Sequence, residues 1–148
     1  MTNAIPPKTP AAQKLKITKA QSAQLYKNGL TQSKVKGASK ELDPFPVIKL
    51  FYPAGSGTWL LTEIQPDDLD IAWALCDLGM GCAEFGALSL QELADFVGRA
   101  GLGIERDKFF EGRAPISRYI DAASESGHIV ENIPHAAKAE EARPPAAE

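Results

Sequence analysis

Apolar and polar side chains first fall into a regular pattern at Pro46. Val47 to Tyr52 is apolar at every position except Lys49, as in a strand with little exposure. Pro53-Ala54-Gly55-Ser56-Gly57 supplies turn residues and Thr58 to Ile64 runs back, which predicts an antiparallel hairpin. A period of two puts Trp59, Leu61 and Glu63 on one face of the return strand, and Leu60, Thr62 and Ile64 on the other. Gln65-Pro66-Asp67-Asp68 then breaks it. Ile71 to Leu78 has the alanines and leucines of a helix, but its short alternating run and the glycines after it favour a third strand. Gly79-Met80-Gly81 turns the chain into a fourth strand over Cys82 to Leu88.

Two capping boxes mark helices. Thr18 and Gln21 open a helix over Lys19 to Asn28, with Leu25, Tyr26 and Leu30 as its apolar contacts and Gly29 as a left-handed stop. Thr31 to Pro44 reads as a loop. Ser89 and Glu92 form the second box, with Leu88 and Leu93 as a hydrophobic staple, and the helix is predicted to run through Ala100 and end at Gly101. Ile104 to Phe110 reads as an edge strand, and Pro115 opens a last helix through Ala123. The fold class that follows is α+β: an antiparallel sheet of about four strands with two or three packed helices.

Composition sets the limits of that domain. The 148 residues are 44% hydrophobic and 24% charged, which suits one globular domain. Both ends lack large apolar side chains, so residues 1–15 are expected to be a disordered basic leader, 16–123 the domain, and 124–148 a mostly disordered tail. Net charge is only -3, yet Met1 to Lys40 holds eight lysines and no acid. Between Lys49 and Arg99 there are eight acids and no base. A basic arm of this kind can touch nucleic acid, but its lysines are spread out and have no interleaved aromatics, so a solvated leader is favoured. No signal peptide or membrane span is evident, and Cys76 and Cys82 do not make a secreted disulfide framework, so a cytoplasmic monomer is the default expectation.

Read together, these segments resemble a known family. Pro46-Val47-Ile48-Lys49-Leu50-Phe51 and Thr58-Trp59-Leu60-Leu61-Thr62-Glu63 are similar to the opening of the bacterial domain-of-unknown-function family 2958. Asp77-Leu78-Gly79-Met80-Gly81, Glu84-Phe85-Gly86, Ser89-Leu90-Gln91-Glu92-Leu93 and Gly101-Leu102-Gly103-Ile104-Glu105-Arg106-Asp107 follow in the same order. The resemblance spans about Leu25 to Ala122. It implies a small protein of the kind often encoded on mobile elements, and brings with it no catalytic residue, cofactor or substrate.

The candidate chemistry is sparse. Glu63, Asp77 and Glu84 could cluster at the hairpin ends as a carboxylate group for metal-assisted hydrolysis or nuclease work, with Arg106 as an ion-pair partner. Cys76, Cys82, His128 and His135 lack the short spacing that pre-forms a zinc site, so no metal or other cofactor is expected. Trp59 and Trp73 fall on comparable faces of two strands and could stack bases, but the acids around them repel phosphate. Neither Gly79-x-Gly81 nor Gly101-x-Gly103 continues into a phosphate loop. A non-catalytic module for a protein partner is therefore expected ahead of an enzyme, with Trp59, Glu63, Trp73, Asp77, Glu84 and Arg106 as its surface. Weak nucleic-acid association through the leader stands as a further alternative.

Overall fold

The computed structural model describes residues 4–35 and 42–142. Lys36 and Lys40 of the lysine-rich segment lie outside the described residues. Five strands form an antiparallel sheet in the order β4-β3-β2-β1-β5. The expected hairpin is β1 (Ile48–Phe51) and β2 (Thr58–Gln65), in register at Leu50 with Trp59 and Phe51 with Thr58. Of the expected third strand Ile71 to Leu78, Ile71 to Asp77 lies within β3 (Asp68–Asp77), and β4 (Ala83–Ser89) pairs along it. A short fifth strand, β5 (Glu105–Arg106), closes the β1 edge, so the sheet has one strand more than the four expected.

A bulge in β2 sets the orientation of the later residues. Leu61 pairs with Ala74 and Glu63 with Trp73, which leaves Thr62 as the extra residue. Asn28 Nδ2 donates to the Thr62 carbonyl at 2.9 Å, and the Thr62 hydroxyl donates to the Trp73 carbonyl at 3.3 Å. Beyond the bulge the alternation inverts. Ile64 joins Trp59 and Leu61 in one core, while Glu63 lies on the opposite face. This corrects the simple period-two assignment, which grouped Glu63 with Trp59.

Helices cover both faces. On one side α1 (Pro10–Lys14), α2 (Lys19–Val35) and α3 (Leu90–Asp95) enclose a core that includes Leu15, Ile17, Leu25, Leu50, Leu61 and Leu90. On the other, α4 (Ile116–Ser126) packs Ile116 and Tyr119 over Leu60 and Leu75. Its N-terminus is capped from 74 residues away: Asp43 accepts from Ser117 N at 3.0 Å. Among the described residues no helix is long and apolar enough to cross a membrane.

Neither end behaves as a free tail within the described residues. Thr9 caps α1 by accepting from Ala12 N at 3.1 Å, and Ala11, Ala12 and Leu15 are buried. Two alanines suffice there because their small side chains let α1 sit closely on its neighbours. After α4, Ile129, Val130 and Ile133 return over the second core. Residues on both sides of the expected 16–123 unit thus pack against its two cores.

Two helices also differ in length from expectation. The Thr18–Gln21 box forms, with Gln21 N donating to Thr18 Oγ1 at 3.1 Å and Thr18 N to Gln21 Oε1 at 3.0 Å. Gly29, however, is not a stop. It lies inside α2 where a Cβ would sit 1.9 Å from the Ile64 carbonyl oxygen, so glycine permits the helix to press on the bulged strand. Conversely α3 ends at Asp95 instead of Ala100, in a Phe96-Val97-Gly98 run of weak helix formers. Phe96 instead leaves the helix to meet the Tyr52 ring edge-on at 5.3 Å.

Candidate functional sites

The three carboxylates proposed as a cluster are dispersed. Glu63 pairs with Trp73, four residues along β3 from Asp77, roughly 13 Å at strand rise. Glu84 pairs with Cys76 and therefore occupies the opposite face from Asp77. Asp77 is buried and serves the backbone: it accepts from Gly79 N at 2.8 Å, which fastens the β3–β4 turn, and from Ile129 N at 2.9 Å, which fastens the C-terminal segment. Among the described residues no three His, Cys, Asp or Glu side chains are grouped to hold a metal ion. Burial, then the charge of Glu84, push the Cys76 thiol up to about 11, so at neutral pH it is protonated and a poor nucleophile. Arg106 Nε donates to the Lys16 carbonyl at 2.7 Å and so ties the strand edge to the N-terminal segment.

The two tryptophans lie on opposite faces, which excludes a shared stacking platform. Trp59 sits beneath a groove of about 640 Å³ on the α1–α3 side. Tyr52, Leu93, Phe96 and Ile104 form its walls, and the tip of the hairpin at Gly57 rests against the Trp59 ring. Glu92 is the one charged side chain among the described lining residues. Glu84 carries a second negative charge on the same face, beside Cys76 and two strands from Trp59. Leu78 and Phe96, both exposed, line the groove, and Met80 and Val97 close by in the chain are exposed as well.

Trp73 lies on the α4 side in a smaller pocket of about 370 Å³, between the C-terminal half of α2 and the start of α4. Its ring stacks on Phe85 with centroids 6.1 Å apart and planes 26° from parallel. Ile116 and Ile120 form the facing wall, and Glu63, Gln65, Gln32 and Ser33 supply polar groups. The Trp73 indole Nε1–H donates to Gln65 Oε1 at 3.4 Å, which fixes the ring. Phe85, Phe96, Gln32 and Ile120 were missed in the sequence. The alternation of β3 and β4 places Phe85 beside Trp73, but nothing in the order of residues indicates that α2 reaches over to this side.

The lysine-rich segment is partly tied to the fold. Lys8 Nζ donates to the Ile17 carbonyl at 2.9 Å, and Lys14 lies 3.7 Å from Asp95. Residues 16–130 match the model of a family described as Protein of unknown function (DUF2958). No curated protein and no solved structure matches the chain.

Proposed function

The chain belongs to this DUF2958 family of unknown function, which assigns it no activity, and we propose from the geometry that it is a non-catalytic interaction module. The groove over Trp59 seats a cationic, apolar segment of a partner protein. The single observation that carries this is the composition of the groove, an aromatic and aliphatic trough whose only charged lining residue among those described is Glu92. Buried aromatic anchors surrounded by a charged rim are what concentrate binding energy in protein interfaces. The acids select the sign of the partner, because a rim of one charge steers the opposite charge and repels its own. From residue 50 to residue 98 the sequence contains no lysine or arginine to neutralise them. The resemblance to proteins carried on mobile elements sets the setting in which such a partner is sought.

The other readings have less support. A carboxylate-based hydrolase needs Glu63, Asp77 and Glu84 together, and they are divided between two faces with Asp77 occupied by backbone donors. A free basic arm on nucleic acid is weakened by the attachment of Lys8 and Lys14 to the fold.

Selection of random displayed peptides against the full chain tests the proposal. Enriched sequences should carry lysine or arginine around an aromatic or aliphatic anchor. They should lose about tenfold or more in affinity on Glu92→Lys with Glu84→Lys, the scale of a rim-charge change. Enrichment of acidic peptides, or of none, contradicts it.

A further inference from the structure

A basic pocket of about 340 Å³ opens where the end of α1 meets β5. We infer that it binds a phosphate dianion, as the free ion or as the end group of a small phosphate ester. Its described lining sets Lys14, Lys16, Arg106 and Lys108 around the apolar Leu15 and Ile104. Glu105 is the one acid among these residues. It pairs with Phe51 while Arg106 pairs with Leu50, so its side chain takes the opposite face of the sheet from Arg106. Lys14 lies 3.7 Å from Asp95, but both side chains are mostly exposed and the pair is weak. Lys16, Arg106 and Lys108 make no ion pair among the described residues. Ile104 is the one described lining residue shared with the groove over Trp59, and the two sites are opposite in charge.

The backbone at Lys16 is the stronger argument. α1 closes in a Schellman motif, in which Lys16 N donates to the Gln13 carbonyl at 3.0 Å and Ile17 N to the Ala12 carbonyl at 3.0 Å. That motif puts Lys16 in the left-handed region, at φ 61°, where glycine is the residue that fits without strain. A lysine is held there against its backbone preference, and what it adds over glycine is a cationic side chain at the pocket. The Lys16 carbonyl also accepts from Arg106 Nε at 2.7 Å. This anchors the guanidinium by one nitrogen and leaves its terminal pair for the forked contact that arginine makes with phosphate. Four cations at one cavity attract a dianion more strongly than a carboxylate, because the attraction scales with charge. A nucleic-acid track instead needs cations strung along a groove, and these are gathered at one place.

Nuclear magnetic resonance titration of the full chain at constant ionic strength, read at the Arg106 Nε–H and the Lys16 amide, tests this with three anions. Inorganic phosphate and phenyl phosphate should shift both signals saturably, and acetate should bind roughly tenfold more weakly or not at all. Tighter binding of phenyl phosphate than of inorganic phosphate assigns the site to an ester, and equal or weaker binding assigns it to the free ion. Either supports the site. Lys16→Gly should weaken phosphate binding roughly tenfold, the scale of one charged hydrogen bond, with Tm unchanged or higher. Lys27→Gln removes the same charge from α2 outside the pocket and should change the affinity by less than about twofold, because distant surface charges are screened. A lower Tm for Lys16→Gly would give that lysine a structural reason and overturn the inference. Equal losses in Lys16→Gly and Lys27→Gln, acetate binding as tightly as phosphate, or no saturable shift with phosphate would also overturn it. So would a single-stranded oligonucleotide that binds here where phenyl phosphate does not, since that marks a polynucleotide track.

Discussion

The two faces of the sheet use the same residue types in different ways. On the α1–α3 side Trp59 is buried under the groove, with Glu92 in its lining and Glu84 two strands away on the same face. On the α4 side Trp73 is half-exposed and forms a wall, with Glu63 opposite it in the sheet. In the sequence these are two tryptophans on similar strands with acids nearby. Register separates the tryptophans, since Trp59 pairs with Cys76, three residues from Trp73, and one extra residue puts Glu63 with Trp73, because a bulge reverses the facing of everything beyond it in β2. A binding surface assembled from residue types alone merges two sites that the sheet keeps apart.

The largest effect should follow from disturbing the helix that touches both sides. In Gly29→Val the new side chain meets the Ile64 backbone and lifts α2 from the bulge, so denaturant unfolding should show a loss of roughly 3 kcal/mol or more. Wild-type stability would mean that α2 does not rest on β2. Next come the two ends. Leu15→Ala removes packing from the α1–α3 core and Ile133→Ala from the α4 core, and each should cost about 2–4 kcal/mol. A neutral result for either would return that end to the status of a free tail.

Smaller changes sharpen the contrast. Asp77→Ala leaves the Gly79 and Ile129 amides without their carboxylate and should cost roughly 2 kcal/mol. Its structural role predicts no metal-dependent shift in Tm with the wild-type protein. Ser89→Ala should cost about 1 kcal/mol, since Ser89 Oγ accepts from Glu92 N at 3.1 Å and donates to Asp70.

The smallest effect concerns pH. Lys49 lies 3.3 Å from Asp107 and 2.7 Å from Glu131. Burial pulls the Lys49 pKa down, but the two carboxylates more than offset it and hold it above its ordinary value. Burial pushes Asp107 up, yet the Phe109 amide and Lys49 outweigh this and hold it below the ordinary carboxylate range. The Asp107 contribution is thus present above an unfolded pKa of about 3.9 and lost as pH falls through the lower folded value. That of Lys49 is present below about 10.4 and lost as pH rises through its higher folded value. Lys49→Met should flatten both limbs of the stability profile by only about 0.5 kcal/mol, because partly solvated pairs are screened.

Much of the sheet was legible because its signals are local. Turn residues at Pro53 to Gly57 set the hairpin, alternation marked Ile71 to Leu78, and Thr18 with Gln21 formed the box they spell. The family and the α+β class followed from the same segments. What could not be read depends on contacts distant in sequence. Gly29 looks like a helix stop until Ile64 is known to lie against it, and Thr62 looks like an ordinary strand residue until Asn28 binds its carbonyl. Asp77 and Glu84 look like partners until the register puts them on opposite faces. The ends looked free because α1 and the Ile129–Ile133 segment bury few residues each and rely on cores built elsewhere in the chain.

Which of the two sites Glu63 belongs to rests on the bulge in β2, and nuclear Overhauser contacts report that directly. With Thr62 as the bulged residue, the β and γ protons of Glu63 should show cross-peaks to the Trp73 ring and none to the Trp59 ring. Cross-peaks from Glu63 to Trp59, with Ile64 on the Trp73 side, would mean that β2 keeps its simple alternation and would contradict the account.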